Sequence, residues 1–431
     1  MNKKVMALAV AGAFVMPAAA FAQASNVQIF GTMYMEYSYS HQGSKVPAAV
    51  GGASGGDLVN IDLLQSAGSE IGVKGQEALG GGNSVWFQCS TTADIRGAGT
   101  GSGIQGLCGR NSAIGLTGSW GNAFVGNWDS PMKATIGAAR IVSDTAIWGA
   151  GPMLFGNSSS FNDATSAFAW SRRQNNSIHY ASPVFSGFQV MGMASTPSAS
   201  VGLTTLASGG KARLYSMAAK YTNGPLMLTA GYEQHTNFSP TSVASLAQTG
   251  GALSGGSGAG GIANTSYTGS DSAFQLGGTY QIGPVKVGLV YTNQTYDTGI
   301  QGPAGVASVG TDAKVSAFNL AGQWNIVGPH SLRGGYTKAN NTRGNFCQTG
   351  QFTAGQQCIV GNRVYNGGGG GTGGTIVQVQ YVYAASKRTE MTAGYVRLQN
   401  DANARYSLGG LTAPQAGQNQ DAVAMSIKTT F

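Results

Sequence analysis

The sequence predicts an all-β protein, a 16-stranded antiparallel transmembrane β-barrel with short turns at one end and long loops at the other. Three observations support this prediction: an export signal at the N-terminus, apolar and polar residues that alternate, and connections that are alternately short and long. Charged residues form only 9% of the 431 residues, and 69 residues are glycine. Soluble domains carry about 25% charged residues, so the composition disfavours a soluble helical protein with a charged surface.

The first 22 residues have the pattern of a secretory signal peptide. Lys3 and Lys4 precede a short apolar segment, and Ala20, Phe21 and Ala22 form a small-x-small cleavage site. We therefore expect residues 1–22 to be removed and residues 23–431 to form a single barrel domain. An uncleaved anchor is the alternative, but its apolar segment is short for a spanning helix, which needs about 18 residues.

Segments of about ten residues place apolar side chains on one face and polar side chains on the other. Residues 285–291 show the pattern, as do residues 226–233, 273–282 and 377–383. Strands of about 9–11 residues can cross a bilayer at a tilt, whereas strands of soluble sandwiches usually have about five or six. The alternation therefore favours transmembrane strands.

The connections between these segments are alternately short and long. Seven short turns are predicted at residues 76–83, 119–122, 183–187, 223–225, 283–284, 327–330 and 384–388. Eight loops rich in Gly, Ser and Thr are predicted at about residues 40–68, 90–108, 129–172, 195–212, 237–271, 297–312, 340–375 and 400–420. These connections join sixteen strands, an arrangement typical of barrels in the outer membrane of Gram-negative bacteria.

Several motifs resemble, in order along the chain, those of general porins of Gram-negative bacteria, of the beta-proteobacterial type. Residues 69–75 (SEIGVKG) resemble their second strand, residues 109–116 (GRNSAIGL) their fourth, and residues 173–188 their sixth strand and its turn. Residues 386–389 (SKRT) resemble the turn before the fifteenth strand, and the chain ends on Phe431. The resemblance implies a homotrimeric barrel in outer-membrane lipid that passes small hydrophilic solutes and ions, with its third loop folded into the pore.

Seven charged residues are candidates for the pore constriction: Glu70, Lys74, Arg110, Asp129, Asp144, Asp163 and Arg173. The three aspartates lie in the third long loop, which also carries apolar residues such as Trp148 and Phe155. Apolar side chains need a surface to pack against, and the barrel interior provides one. We expect the loop to fold inward; the alternative is that these charges belong to a solvated loop.

Strand alternation places Arg173 on the inner face with Ser177 and His179, while Ile178 faces outward. For Arg110, alternation favours the outer face, whereas the resemblance places it in the lumen. The resemblance is preferred, because an arginine that faces lipid near the midplane costs about 2–4 kcal/mol.

Glu70 stands where the second strand of the resembled family usually carries an arginine. Ile71 and Val73 are expected to face outward, which turns Glu70 and Lys74 toward the lumen. The carboxylate of Glu70 would then partly cancel the arginines of the constriction and leave only weak ion selectivity.

The last strand places Phe431 on the apolar face together with Val423, Met425 and Ile427. In the resembled family the terminal aromatic residue also serves as an assembly signal for the barrel-insertion machinery. The alternative is a simple lipid-facing last residue.

Four cysteines lie in two long loops. Cys89 and Cys108 bracket the second loop, and Cys347 and Cys358 lie in the seventh. An even number of cysteines in an exported protein favours disulfide bonds. Of the three possible connectivities, two local pairs are preferred, and free thiols are the alternative.

The sequence offers no motif for catalysis, and we predict no cofactor and no metal site. The four histidines are scattered, and the glycine-rich runs lack the strand and helix that flank a phosphate-binding loop. A net charge of +8 without clustered basic runs does not indicate nucleic acid. A passive diffusion channel is therefore predicted; an outer-membrane barrel hydrolase and a secreted β-rich adhesin are the alternatives.

Overall fold

The computed structural model describes residues 26–43, 59–66, 68–96, 103–142, 146–149, 151–155, 170, 172–195, 213–236, 270–297, 312–344, 358–360, 363–365, 370–411, 414 and 416–431. Most of them are in strands. In chain order the strands are β1 (Asn26–Gly43), β2 (Val59–Gln65), β3 (Glu70–Gly80), β4 (Asn83–Asp94), β5 (Gly103–Gln105), β6 (Ser112–Gly118), β7 (Gly121–Asp129), β8 (Arg173–Ala181), β9 (Phe188–Ser195), β10 (Arg213–Asn223), β11 (Leu226–Thr236), β12 (Ser270–Ile282), β13 (Val285–Asp297), β14 (Asp312–Val327), β15 (His330–Ala339), β16 (Cys358–Val360), β17 (Arg363–Tyr365), β18 (Gly374–Ala384), β19 (Thr389–Asn400) and β20 (Asn419–Thr430).

One sheet contains 18 of these segments, and it closes into a barrel. Strand β1 pairs antiparallel with β20, from Thr32 opposite Thr430 to Gly43 opposite Asn419. Segments β2 and β3 follow one another along β1 and form a single barrel strand, as β5 and β6 do along β4. The barrel therefore has 16 antiparallel strands, which confirms the prediction. Segments β16 and β17 form a separate hairpin.

The seven short turns lie where the sequence predicts them. Three of them are Gly-Pro pairs that begin at Gly224, Gly283 and Gly328, with φ angles of 54°, 54° and 55°. Glycine adopts this left-handed conformation without strain, and a positive φ at the first turn residue matches the twist of a tight hairpin. Several strands are longer than the ten residues expected; β1 has 18 residues, because its outer end continues to pair with β2 and β20.

The outer face of the barrel is apolar and the inner face is polar. On β12, Phe274, Leu276 and Tyr280 are 41%, 53% and 45% exposed, whereas Gln275 between them is completely buried. This arrangement matches a lipid-facing outer surface and confirms the predicted alternation.

The third long loop carries the helices among the described residues. They are α1 (Pro131–Ala139), a 3-10 helix (Ala146–Trp148) and α2 (Gly151–Leu154). Helix α1 begins after Ser130, whose hydroxyl accepts a hydrogen bond from the amide of Lys133 at 3.3 Å.

Within the described part of the chain, no helix has the length and apolar content that a membrane-spanning helix requires.

Candidate functional site

The third long loop folds into the barrel and packs on its inner face, as expected. Its apolar residues Met132, Ile136, Trp148 and Leu154 are all at most 1% exposed. They belong to one cluster with small and branched residues of the inner wall: Ala273, Val290, Val315, Ala317, Ala339, Ile376, Val396 and Leu398. The inner face opposite the loop is thus locally apolar, and burial of these side chains holds the loop inside the lumen.

Three inward-facing glycines provide the room for the loop. A Cβ atom at Gly277 on β12 would lie 2.8 Å from the Cβ of Ala139. One at Gly288 on β13 would lie 2.9 Å from Cδ1 of Ile141, and one at Gly335 on β15 would lie 2.9 Å from Cγ2 of Val142. Side chains at these positions would push the loop away from the wall. The sequence analysis did not recognise this role, although glycine at an inward strand position was the available signal.

Polar contacts attach the loop at several points along its course. The Gln275 side chain donates to the hydroxyl of Thr135 on α1 at 3.0 Å, and the Gln294 side chain donates to the carbonyl of Leu154 at 2.9 Å. On the other side of the lumen, Glu36 of β1 accepts a hydrogen bond from the backbone amide of Ile147 at 3.0 Å. The loop therefore crosses the lumen and is fixed to the wall on both sides.

The first cluster of predicted charges joins Glu70 and Arg110. Nε of Arg110 lies 2.7 Å from Oε2 of Glu70, and the hydroxyl of Ser90 donates to the same oxygen at 2.8 Å. Strand β6 begins only at Ser112, and the Arg110 amide donates instead to the carbonyl of Ser90 at 2.9 Å. Since Arg110 precedes the regular strand, strand alternation does not apply to it. Its side chain reaches Glu70 on the inner face, where the resemblance had placed it.

The second cluster centres on Asp129 at the end of β7. Its Oδ1 lies 3.2 Å from Nη2 of Arg173 and 3.2 Å from Nζ of Lys133, which makes two ion pairs. Asn111 donates to Oδ2 of Asp129 at 3.1 Å and accepts from Nε of Arg173 at 2.6 Å. These contacts brace the residues that lead into α1 against the start of β6 and β8.

The simple alternation along β8 is interrupted between Ser177 and Arg173. A register shift between β7 and β8 follows Gly126, and Asn176 has a positive φ of 50°. This β-bulge places Gln174, which is 2% exposed, opposite Trp128. Arg173 lies directly opposite Asp129 and pairs with it. Asp144 and Asp163 lie outside the described residues.

Lys74 lies away from both clusters. It is opposite Gln28 in the register of β1 and β3, and its Nζ lies 5.3 Å from the ring centroid of Phe30. It makes no ion pair with the residues that the structure describes.

Further inner-face charges were not singled out from the sequence: Lys220, Lys286, Arg333, Glu390 and Lys428. All five lie near the short-turn end of their strands, between outward-facing apolar residues. Nη2 of Arg333 lies 3.4 Å from Oε2 of Glu390. The same alternation that identifies the strands could have identified these residues.

The family model of the Gram-negative porins matches residues 7–403. The chain belongs to this family. Its barrel is accordingly an outer-membrane barrel, with the short turns toward the periplasm and the long loops outside.

Similar sequences include major outer membrane protein P.IB of Neisseria meningitidis, 34% identical to this porin over 139 residues, or 31% of this chain and 36% of that protein. P.IB of Neisseria gonorrhoeae is 35% identical over 121 residues, or 28% of this chain and 30% of that protein. The matched part of this porin thus spans about a third of the length of these relatives.

Solved structures with the same fold include the anion-selective porin from Comamonas acidovorans. It is 20% identical, with a TM-score of 0.65, and the match covers 94% of this chain and 100% of that one. OmpT of Vibrio cholerae, in its trimer form, is 14% identical with a TM-score of 0.59, and the match covers 95% of this chain and 100% of that one.

Proposed function

We propose that this porin forms a water-filled channel for the passive diffusion of small hydrophilic solutes and ions, and that the channel prefers anions. The observation that carries the preference is a set of four inward-facing lysines toward the periplasmic end, Lys74, Lys220, Lys286 and Lys428. None of them forms an ion pair with a described residue. Arg333 and Glu390, which also lie near the periplasmic end, pair with each other, so their charges cancel.

The two charge clusters near the third loop do not offset this excess. Glu70 is matched by Arg110, and Asp129 is matched by both Arg173 and Lys133. The carboxylates of these two clusters are thus each paired with a cation, while the four lysines have no ion-pair partner among the described residues. In a narrow aqueous lumen with low-dielectric walls, such fixed charges raise the local concentration of the opposite ion. The structural neighbour from Comamonas acidovorans is itself named an anion-selective porin, which agrees with this sign.

The test is the zero-current potential of single channels in a planar bilayer under a KCl gradient. Lys220→Gln combined with Lys286→Gln should weaken the anion preference, because two inner charges are lost. Lys338→Gln removes the same kind of charge from the outer face of β15, between Tyr336 and the strand end, and should leave the potential unchanged. A cation-selective native channel would overturn the proposed preference, and a protein that folds without conducting would overturn the proposed channel.

The hydrolase and adhesin alternatives gain no support from the family match, which favours a channel. We propose that the porin acts as a homotrimer; OmpT of Vibrio cholerae has been solved in a trimer form. Cross-linking in outer membranes followed by mass measurement would test this proposal.

We also propose that residues 1–22 are removed on export, although residues 1–25 lie outside the described residues. The intact mass of outer-membrane material should correspond to a chain that begins at Gln23, and a retained Met1 would contradict the proposal.

A further inference from the structure

One aromatic ring lies under the cationic side chain of Lys74, and a second lies on the neighbouring strand of the same inner face. Phe30 on β1 lies under its ammonium group at 5.3 Å. In the register of β3 and β4, Lys74 is opposite Gln88, and Trp86 is two residues further along the same face. Gly72 supplies the space for the Phe30 ring, since a Cβ there would lie 2.6 Å from Cζ of Phe30.

Lys74, Trp86 and Gln88 line a pocket of about 680 Å³ on the inner face, and Phe30 lies beside it, beneath the ammonium group of Lys74. Its polar lining consists of the amide and hydroxyl side chains of Asn26, Gln28, Gln76, Ser84 and Gln88. Lys74 is the single charged residue of the lining, and no acidic residue is part of it. A volume in the range of about 300–1,000 Å³ is typical of sites for small ligands.

The aromatic surface continues from Trp86 toward the charges at the base of the third loop. The ring of Trp86 lies 5.4 Å from that of Phe124 and 5.8 Å from that of Trp128, and its Nε1 donates to Asn122 at 2.8 Å. Phe124 in turn stacks on His179 at 4.6 Å. An aromatic solute that covers such partly exposed rings removes apolar surface from water, which is favourable.

We propose that this pocket is a binding site for small aromatic carboxylates on their way through the pore. The ammonium group of Lys74 holds the carboxylate, and the solute ring lies against Trp86, while Phe30 supports Lys74 from below. The surrounding amides hydrogen-bond to polar substituents of the solute. The inference rests on the proposed anion channel and names a solute class for it, because charge attraction alone would accept any anion, whereas the aromatic wall adds favourable contact only for a ring.

The test uses single-channel recording in KCl with sodium benzoate as the probe, and sodium acetate and benzyl alcohol as the two reference solutes. Benzoate should reduce the open-channel current at concentrations at least about fivefold lower than either reference, because only benzoate offers both a ring and a charge. Lys74→Gln and Trp86→Leu should each raise the half-blocking benzoate concentration by about fivefold or more.

Two variants provide matched controls. Lys286→Gln removes one lysine from a different part of the inner wall, and Trp120→Leu removes a tryptophan in the turn between β6 and β7 that donates to Asn83 at 3.0 Å. Trp120→Leu should leave the half-blocking concentration within about twofold of the native value, and Lys286→Gln, which weakens only the general attraction of anions, should raise it less than Lys74→Gln does. The Lys74→Gln change affects an exposed side chain, so it keeps the test valid even if Trp86→Leu lowers the yield of folded barrel.

The outcomes separate this inference from the proposed function. A channel that conducts chloride normally but is blocked equally by benzoate and acetate would overturn the aromatic site and leave the anion channel standing. Equal block by benzyl alcohol would overturn the role of Lys74. Loss of benzoate block in Lys286→Gln to the same extent as in Lys74→Gln would show that general charge, rather than this pocket, governs the effect.

Discussion

The carboxylate of Glu36 accepts a hydrogen bond from the backbone amide of Ile147 at 3.0 Å, which joins the first barrel strand to a residue 111 positions later in the chain. Glu36 is completely buried, and its oxygens also accept from the side chains of Gln65, at 2.9 Å, and Tyr34. A hydrogen bond to a charged group contributes about 1.5–3 kcal/mol. One carboxylate of the wall therefore fixes the middle of the third loop across the lumen.

Glu36→Ala should release the middle of this loop while its two ends stay attached. We expect larger fluctuations of the open-channel current and a wider exclusion limit for neutral polymers, because the loop no longer holds one position. Ser38→Ala is the matched control, since Ser38 is the next inward residue of β1, is equally buried, and its hydroxyl has no hydrogen-bond partner among the residues that the structure describes. Equal current noise in the two variants would contradict the role of Glu36.

The disulfide bond between Cys89 and Cys108 closes a loop with a sequence separation of 19 residues. It confirms one of the two predicted local pairs and ties the second long loop to β4. Closing a loop of this size stabilises a fold by about 3 kcal/mol in the chain-entropy model. Cys89→Ser combined with Cys108→Ser should lower the temperature at which the barrel unfolds in detergent, and a reductant should cause a smaller further decrease than it causes in the native protein.

Cys347→Ser combined with Cys358→Ser is the control for that experiment and a test of the second pair. Cys347 lies outside the described residues, so the bond between Cys347 and Cys358 stays a prediction. Peptide mass mapping without reduction should find the two cysteines joined. A reductant effect that persists in the Cys89 and Cys108 double variant would assign the stabilisation to the seventh loop instead.

Local patterns predict what depends on neighbouring residues in the sequence. The alternation on β12 and β20 and the turns at Gly224, Gly283 and Gly328 follow from period and turn chemistry, so the barrel could be predicted. The alternation also contained the inner lysines, which lie away from the motifs that resemble a known constriction.

Contacts between distant segments could not be predicted in the same way. The bond from Glu36 to Ile147 depends on the path of the third loop, which no local period encodes. The bulge at Asn176 interrupts the alternation between Ser177 and Arg173, and an Asn with a positive φ carries only a weak sequence signal. The sequence thus predicted the wall of the pore better than the loop that narrows it.

Phe431 closes the seam of the barrel as well as ending the chain. Its backbone amide and carbonyl both bond to Gly31 at 3.1 Å, and a Cβ at Gly31 would lie 2.5 Å from Cζ of its ring. If the insertion machinery also recognises the terminal ring, Phe431→Ala should reduce the yield of barrel in cells more than it reduces refolding of the purified chain in detergent. Thr430→Ala is the control. A parallel decrease in both assays would assign Phe431 a packing role alone.

Glu70 sets the charge at one side of the constriction, because it is the ion-pair partner of Arg110 at 2.7 Å. Glu70→Arg changes the wall by two unit charges and leaves Arg110 without its carboxylate. The zero-current potential in a KCl gradient should therefore move toward anion preference. The shift should be larger at low salt than near 1 M, where the screening length falls to about 3 Å. Arg173→Ala should move the potential in the opposite direction, because Asp129 then keeps only Lys133 as an ion-pair partner.

Glu77→Arg is the control for Glu70→Arg. It makes the same change of two unit charges at an exposed residue of β3, on the outward face shared with Val73, and should have little effect on the potential. A Glu70→Arg channel that folds and conducts with the native potential would show that this carboxylate does not govern ion passage.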